Sequence, residues 1–306
     1  MSRESAFIDS LRALAADPAA RGLADDAAVL EVGGATLVLT HDMLAEGVHF
    51  LPSDPPGDVA WKLVAVNFSD LAAKGARPLG VLLGFALGGE AWDRGFAEGL
   101  GLALRAFGVP LLGGDTVRAP RVLGMTAIGA AAGPVPARSG GQAGDDLWVS
   151  GTIGDAGAGL AALRDGAPCD PLLIERYRTP RPRLEAGRAL APLVRAMMDV
   201  SDGLLLDARR IAEASRLALS IDLAAVPLSK ACRAAGFTPL AAATAGDDYE
   251  LLFAASPERR GDIHALADRL ALPLTRIGGF AAGAGLSLSD GEAPVPLPAK
   301  LGWEHG

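Results

Sequence analysis

Six short stretches of the chain set an aspartate among glycines and small residues, close to stiff apolar runs. They are Asp25-Asp26, Thr40-His41-Asp42, Asn67-Phe68-Ser69-Asp70, Gly113-Gly114-Asp115-Thr116, Asp199-Val200-Ser201-Asp202-Gly203 and Ala245-Gly246-Asp247-Asp248-Tyr249. A carboxylate at the end of a buried element is costly unless something cationic gathers it. Mg2+ prefers oxygen ligands and usually arrives with phosphates. The pattern therefore points to phosphoryl chemistry around a cluster of metal ions.

Taken singly, the stretches have plainer readings. Asp42 follows an apolar run and reads first as a turn or helix cap. Paired acids such as Asp25-Asp26 are usually solvated, and Ser201 or Asp202, placed before a helix, would serve as an N-cap. The same helix N-terminus also suits a phosphate whose metal the flanking acids hold. Gly113-Gly114 lets backbone N–H groups approach a ligand that Asp115 then faces. Asp70 carries the most information. It projects with Val59, Leu63 and Val66 from one side of a helix whose other sides carry Trp61, Val64, Phe68 and Leu71. An aspartate on a helix apolar almost all round is no routine solvated charge, although capping a neighbour or pairing with arginine would also explain it. Several such loops in one chain shift the balance toward metal.

The common nucleotide cradles are missing. No lysine is preceded by glycine and followed by Ser or Thr, and the protein-kinase motifs His-Arg-Asp and Asp-Phe-Gly are absent. There is no Gly-x-Ser-x-Gly elbow, and His41, His49, His264 and His305 lack zincin spacing.

The elements that must position the acids alternate between strand and helix. Strands are expected at Thr36–Thr40, with Asp42 in the loop after it, at Val81–Leu87, at Leu111–Leu112 running into Gly113-Gly114-Asp115, and at Val122–Ala131. Helices are expected over Asp58–Gly75 and Ala91–Phe107. The breaker-rich stretch 133–144 is the best domain boundary. Beyond it the pattern predicts strands at Asp146–Ser150, Leu219–Leu223, Tyr249–Ala254 and Thr275–Ile277. It predicts helices at Gly154–Leu163, Arg183–Met197, Leu204–Leu217 and Pro257–Leu270, with Ala167–Arg183 a long loop. A chain of 306 residues is long for one core, so two domains are expected, 1–136 and 137–306, of mixed α+β class.

Half the residues are apolar but only 5% aromatic, so the cores must be mainly aliphatic. A formal charge of −8 with lysine only at 62, 74, 230 and 300 does not suit a nucleic-acid backbone. The same charge would repel ATP unless local metal or arginine reverses the field. There is no membrane-length apolar run and no secretory layout at the N-terminus, and Cys169 and Cys232 form no disulfide or zinc framework. A cytoplasmic protein is the expectation.

In their order along the chain these motifs resemble the thiamine-monophosphate kinase family, within the ATP-binding superfamily related to aminoimidazole ribonucleotide synthetase. The resemblance rests on Asp25-Asp26-Ala-Ala, His41-Asp42-Met-Leu-Ala-Glu-Gly-Val-His49-Phe50, Asn67-Phe-Ser-Asp-Leu-Ala-Ala-Lys-Gly-Ala76 and Gly113-Gly-Asp-Thr116. It continues through Ala137-Arg138-Ser-Gly, Pro180-Arg-Pro-Arg183, Asp199-Val-Ser-Asp-Gly-Leu204 and Ala245-Gly-Asp-Asp-Tyr-Glu-Leu251. It implies ATP-dependent phosphorylation of thiamine monophosphate with several Mg2+ ions. It also implies a homodimer joined through the N-terminal sheets, a C-terminal α/β sandwich-like domain, and an active site in the cleft between domains. Residue by residue, the family's metal positions fall on Asp26, Thr40, His41, Asp42, Asp70, Asp115, Asp199 and Asp202. Its ATP contacts fall on Gly114, Asp115, Arg138 and Ser201, and its substrate contacts on His49, Asp247 and Trp303. His41 stands where the family commonly has Thr, and Asp247 where it has Glu, a carboxylate shortened by one methylene.

The acceptor phosphate is already ionised at neutral pH, so no protein nucleophile or base is expected. Rival readings are another synthetase or maturation ATPase of the superfamily, and a non-catalytic thiamine- or nucleotide-binding protein in which the acids are caps.

Overall fold

Two sheets organise the chain in a computed structural model that describes residues 3–304. After helix α1 (Arg3–Leu11), strands β1 (Ala28–Val32) and β2 (Ala35–Ala45) form a hairpin. Helix α2 (Pro56–Ala73), β3 (Arg77–Ala86), α3 (Glu90–Phe107), β4 (Leu111–Val117) and β5 (Val122–Ala131) follow. The five strands lie in the order β1-β2-β5-β3-β4; only the β3–β4 pair is parallel, as the α3 crossover between them requires.

Alternation along β2 decides which side chains face inward. Val38, Thr40 and Leu44 are buried under α2, whereas His41 and Met43 are exposed on the outer face. The hairpin partner stops short: β1 pairs with β2 only as far as Ala28 opposite Leu39. Past Leu39 that edge of β2 meets the Asp25-Asp26 loop and α2 instead of a strand, and there the Asp42 amide donates to Asn67 Oδ1 at 3.1 Å. At the other end of the sheet every residue of β4 is exposed. Gly114 is obligatory on it: a Cβ would lie 1.9 Å from the Leu83 carbonyl oxygen, at φ +153°.

The second sheet comprises β6 (Asp146–Ser150), β7 (Ala196–Val200), β8 (Ala218–Asp222), β9 (Glu250–Ala255), β10 (Leu274–Ala281), β11 (Gly285–Asp290) and β12 (Ala293–Val295), in the order β12-β11-β8-β10-β6-β9-β7. Its helices are α4 (Asp155–Asp165), α5 (Pro171–Arg178), α6 (Leu184–Leu190), α7 (Leu204–Ser215), α8 (Lys230–Ala234), α9 (Pro239–Thr244) and α10 (Arg260–Leu270). Strands β6, β7 and β9 are buried on both faces. One face sends Leu147, Met198 and Leu252 into a core with Leu205 and Ile211 of α7. The other sends Trp148, Met197 and Phe253 into a core with Leu190 of α6 and Ile263 of α10. Ala72 and Ala73, the last residues of α2, belong to this third core, while Leu63 and Phe68 belong to that of the first sheet. One helix thus spans both cores, and the motif at its C-terminal end lies at the junction. Among the described residues no helix is long and apolar enough to cross a membrane.

The sequence pattern erred where polar residues continue an element. Asp42 lies inside β2, not in a loop after it, because pairing with β5 runs through Asp42 opposite Met125. Strand β4 likewise continues through the glycines to Val117, held parallel to β3. The expected loop 167–183 contains α5, started by Asp170, whose side chain accepts from Leu172 N. The expected helix to Met197 stops at Leu190, and the Met197 segment is strand β7, the last in the sheet yet buried throughout.

Candidate active site

The site grows from the unpaired edge of β2. Thr40 directs its Oγ1 to Asp70 Oδ2, one turn before the end of α2. Asp26 approaches from the loop before β1, and Asp199 from β7 of the second sheet. Carboxylate oxygens of Asp26, Asp70 and Asp199 all lie within 4.8 Å of one another. Ser69 Oγ donates to Asp199 at 2.6 Å, which ties the end of α2 to β7. These three residues, with Asp42, lie on the wall of a cleft of about 1170 Å³ between the two sheets.

The acids are held in two electrostatic states. Burial works against ionisation of Asp26, but the charges of Arg138 and Lys74 outweigh it and keep its carboxyl below the usual range. Arg138 Nε donates to Asp26 Oδ1 at 2.8 Å. Among the described residues Asp70 and Asp199 form no ion pair. Burial, and then the neighbouring aspartate charges, push both well above the ordinary value. Asp42 is raised to about 6 by burial and by the charges of Asp26 and Asp202. Asp26 Oδ2 has no aligned hydrogen-bond donor although buried; Lys74 Nζ stands 2.6 Å away, off the hydrogen-bonding direction. A set of aspartate oxygens and a threonine hydroxyl, with two of the three carboxyls lacking an ion pair, fits a hard divalent cation such as Mg2+.

The remaining expected residues distribute unevenly. Arg138, Ser201, Asp202, His49, Asp247 and Trp303 all line the same cleft. His49 Nδ1 accepts from the Ala45 amide at 3.0 Å, which places its proton on Nε2. Trp303 is 49% exposed, and its amide donates to the Asp202 carbonyl at 2.8 Å. Asp202 pairs with Arg210 at 2.5 Å. The amides of Ser201 and Asp202, in the turn before α7, both donate to Asp207 Oδ2 at 3.1 Å. The N-cap of α7 is Gly203, without a side-chain cap bond, so neither Ser201 nor Asp202 is the N-cap expected from the sequence. Four expected residues are not on the cleft wall, the first being Thr40, which is buried behind it with its hydroxyl on Asp70. The His41 ring bonds Thr126 Oγ1 at 2.9 Å on the outer face, so a ligand from His41 would come from its main chain. Gly114 and Asp115 sit on β4, three strand positions from β2, or about 14 Å at the usual spacing.

Asp247 lies in a loop under strain: Asp247 and Tyr249 have φ of +71° and +50°. Gly246 allows it, since a Cβ there would lie 2.7 Å from the Ser201 carbonyl oxygen. The carboxylate is fixed at both oxygens, by Tyr249 OH at 3.0 Å and by Lys62 Nζ at 3.0 Å. Lys62 also donates to the His49 carbonyl at 2.9 Å and stands 4.1 Å from the centroid of the Tyr177 ring. Neither Lys62 nor Lys74 emerges as a site residue from the motifs. The available signal was composition: two of only four lysines lie on or directly after the apolar helix that flagged Asp70.

Two sheet-bearing halves, meeting at an acid cluster supplied by both, define an AIR synthase related protein. Residues 24–131 match the N-terminal domain of that family and residues 142–291 its C-terminal domain. Within it, the thiamine-monophosphate kinase of Caulobacter vibrioides is 40% identical over 305 residues, covering 95% of this chain and 86% of the relative. That of Escherichia coli is 39% identical over 299 residues, covering 93% and 91%. The solved structure of AaThiL complexed with AMPPCP and TMP superposes with a TM-score of 0.87 at 29% identity, covering 98% of this chain and 96% of that one. The chain belongs to the thiamine-monophosphate kinase family, whose members are enzymes.

Proposed function

We propose that the protein transfers the γ-phosphoryl group of ATP directly to the phosphate of thiamine monophosphate, giving thiamine diphosphate and ADP. The convergence of Asp26, Asp70 and Asp199 on one cleft, with more negative charge than the chain neutralises, carries the reading. The names of the relatives and the ligands of the AaThiL structure support the substrate pair.

The acceptor oxygen is ionised at neutral pH, so the chain has no proton to remove. Its problem is charge: two unit charges about 4 Å apart repel by roughly 4 kcal/mol at an effective dielectric near 20. Bound Mg2+ would supply charge neutralisation and an in-line alignment of the two phosphates. Asp26, Asp42, Asp70 and Asp199 would hold it, with Thr40, Asp202 and the His41 main chain at the margin. Arg138 and Ser201 would contact ATP. His49 would donate from Nε2 to the acceptor, Asp247 would face the thiazolium cation, and Trp303 would stack on a ring.

Asp115 and Gly114 enter through a second copy. Strand β4 is an exposed edge, and Leu82, Leu111, Leu112 and Val117 are exposed on it or beside it. A homodimer formed through these sheets would bring Asp115 of one protomer to the acids of its partner. In this reading the chain divides at 136/137, the first domain dimerising and the second closing the cleft.

An ADP-release assay offering thiamine, thiamine monophosphate and aminoimidazole precursors side by side tests the proposal. Turnover with thiamine monophosphate alone is expected. Turnover with thiamine and not its monophosphate overturns the substrate. ATP binding indifferent to Mg2+, without ADP release, would favour a non-catalytic binding protein.

A further inference from the structure

Lys74 follows the last residue of α2 and is completely buried. A lysine in that position normally runs its stem outward and leaves its ammonium in water. This one turns inward. Its Nζ lies 2.5 Å from Asp25 Oδ1, 2.6 Å from Asp26 Oδ2 and 3.1 Å from the carbonyl oxygen of Met197. The contacts come from the loop before β1 and from β7, so the ammonium sits where the two sheets meet. Asp25 has a second cation, Arg21 at 2.6 Å, which also donates to the carbonyls of Val135 and Pro136 between the domains. Asp26 has Arg138 on its other oxygen. Asp25 is thus satisfied within the chain. Asp26 instead presents to Lys74 an oxygen with no aligned donor, and this is one of the three carboxylates within reach of a single ion.

We propose that Lys74 is a resident cation of the acid cluster, a positioning residue that holds Asp26 in place and offsets part of the charge a metal must balance. The inference rests on the metal-binding reading of the cluster. A fixed ammonium at 2.6 Å from a ligand oxygen does two opposed things. It keeps the domain junction folded while no metal is bound, and it weakens the cluster's attraction for a divalent cation. Loss of the ammonium therefore makes the fold depend on metal and tightens metal binding. A helix cap or a domain staple alone would do neither.

The test compares wild type and Lys74→Met, each stripped with EDTA and then titrated with MgCl2, by thermal melting and by isothermal titration calorimetry without nucleotide. The variant is expected to melt well below wild type in EDTA and to recover most of the difference at saturating Mg2+. Its Mg2+ affinity is expected to rise by on the order of tenfold. An equal drop in Tm with and without Mg2+, or an unchanged affinity, overturns the role of Lys74 and leaves the metal reading intact. A wild type that shows no Mg2+ binding overturns the metal reading itself. If Lys74→Met does not fold, Lys74→Gln, which keeps donors for Asp25 and Met197, carries the same comparison. Failure of both to fold at saturating Mg2+ also overturns the inference, because metal then does not replace the ammonium.

Discussion

Asp26 and Asp199 face the same space and are held in opposite ways, one against two cations and the other against a serine hydroxyl. The difference has consequences for the metal-free protein. Asp42 is raised from 3.8 to about 6 by burial and acidic neighbours, so the folded state binds more protons than the unfolded state between those values. Stability in EDTA is therefore expected to fall as pH rises from about 4 to 6, and Asp70 and Asp199, raised in the same direction by burial and neighbouring aspartates, add to the fall. Saturating Mg2+ should flatten the slope; melting curves across pH with EDTA and with Mg2+ check both statements. Asp199→Asn removes an uncompensated buried charge and keeps an acceptor for Ser69. It should stabilise the metal-free protein by about 1–3 kcal/mol while abolishing Mg2+-dependent stabilisation. At the other wall, Asp247 is held by Lys62 and Tyr249. Asp247→Asn is expected to raise KM for thiamine monophosphate about tenfold or more, with little change for ATP. Steady-state kinetics with each substrate varied separates the two.

Helix α2 is the element on which the site depends, since it carries Lys62, Asn67, Ser69 and Asp70, delivers Lys74, and packs into the cores of both halves. Strand β4 is the element that must stay close to β3: Gly114→Ala would drive a Cβ into the Leu83 carbonyl. It should destabilise the fold by about 1–3 kcal/mol in thermal or urea unfolding. Much of this layout was legible beforehand. Asp70 stands out because its helix is apolar almost all round, and β5 and β6 have the bounds the sequence pattern predicts. Asp42 was misplaced in a loop because alternation around Thr40, His41 and Asp42 looks like a strand ending in polar residues; only pairing with β5 shows that it continues. Lys62 and Lys74 were not legible as site residues. Their partners, Asp247 and Asp25-Asp26, are distant in sequence, and no local pattern encodes a contact across domains.

At the scale of the molecule, one chain brings Asp26, Asp42, Asp70 and Asp199 to its cleft and leaves Asp115 on a bare edge strand. If Asp115 reaches a partner's cleft, Asp42→Asn and Asp115→Asn are each inactive alone. Co-refolded in equal amounts, they should regain roughly a quarter of wild-type activity, because half the dimers then contain one intact site. Recovery absent from a mixture shown by light scattering to contain dimers would place Asp115 outside the reaction. The central claim is that these acids serve a cation that lets an acidic protein join two phosphate esters. Its most direct measurement is ADP release from ATP and thiamine monophosphate across a Mg2+ titration, for wild type and folded Asp42→Asn. Wild-type turnover should vanish in EDTA and saturate with Mg2+, and Asp42→Asn should lose roughly 100-fold at every Mg2+ concentration. Full activity of Asp42→Asn, or turnover that persists in EDTA, would contradict it.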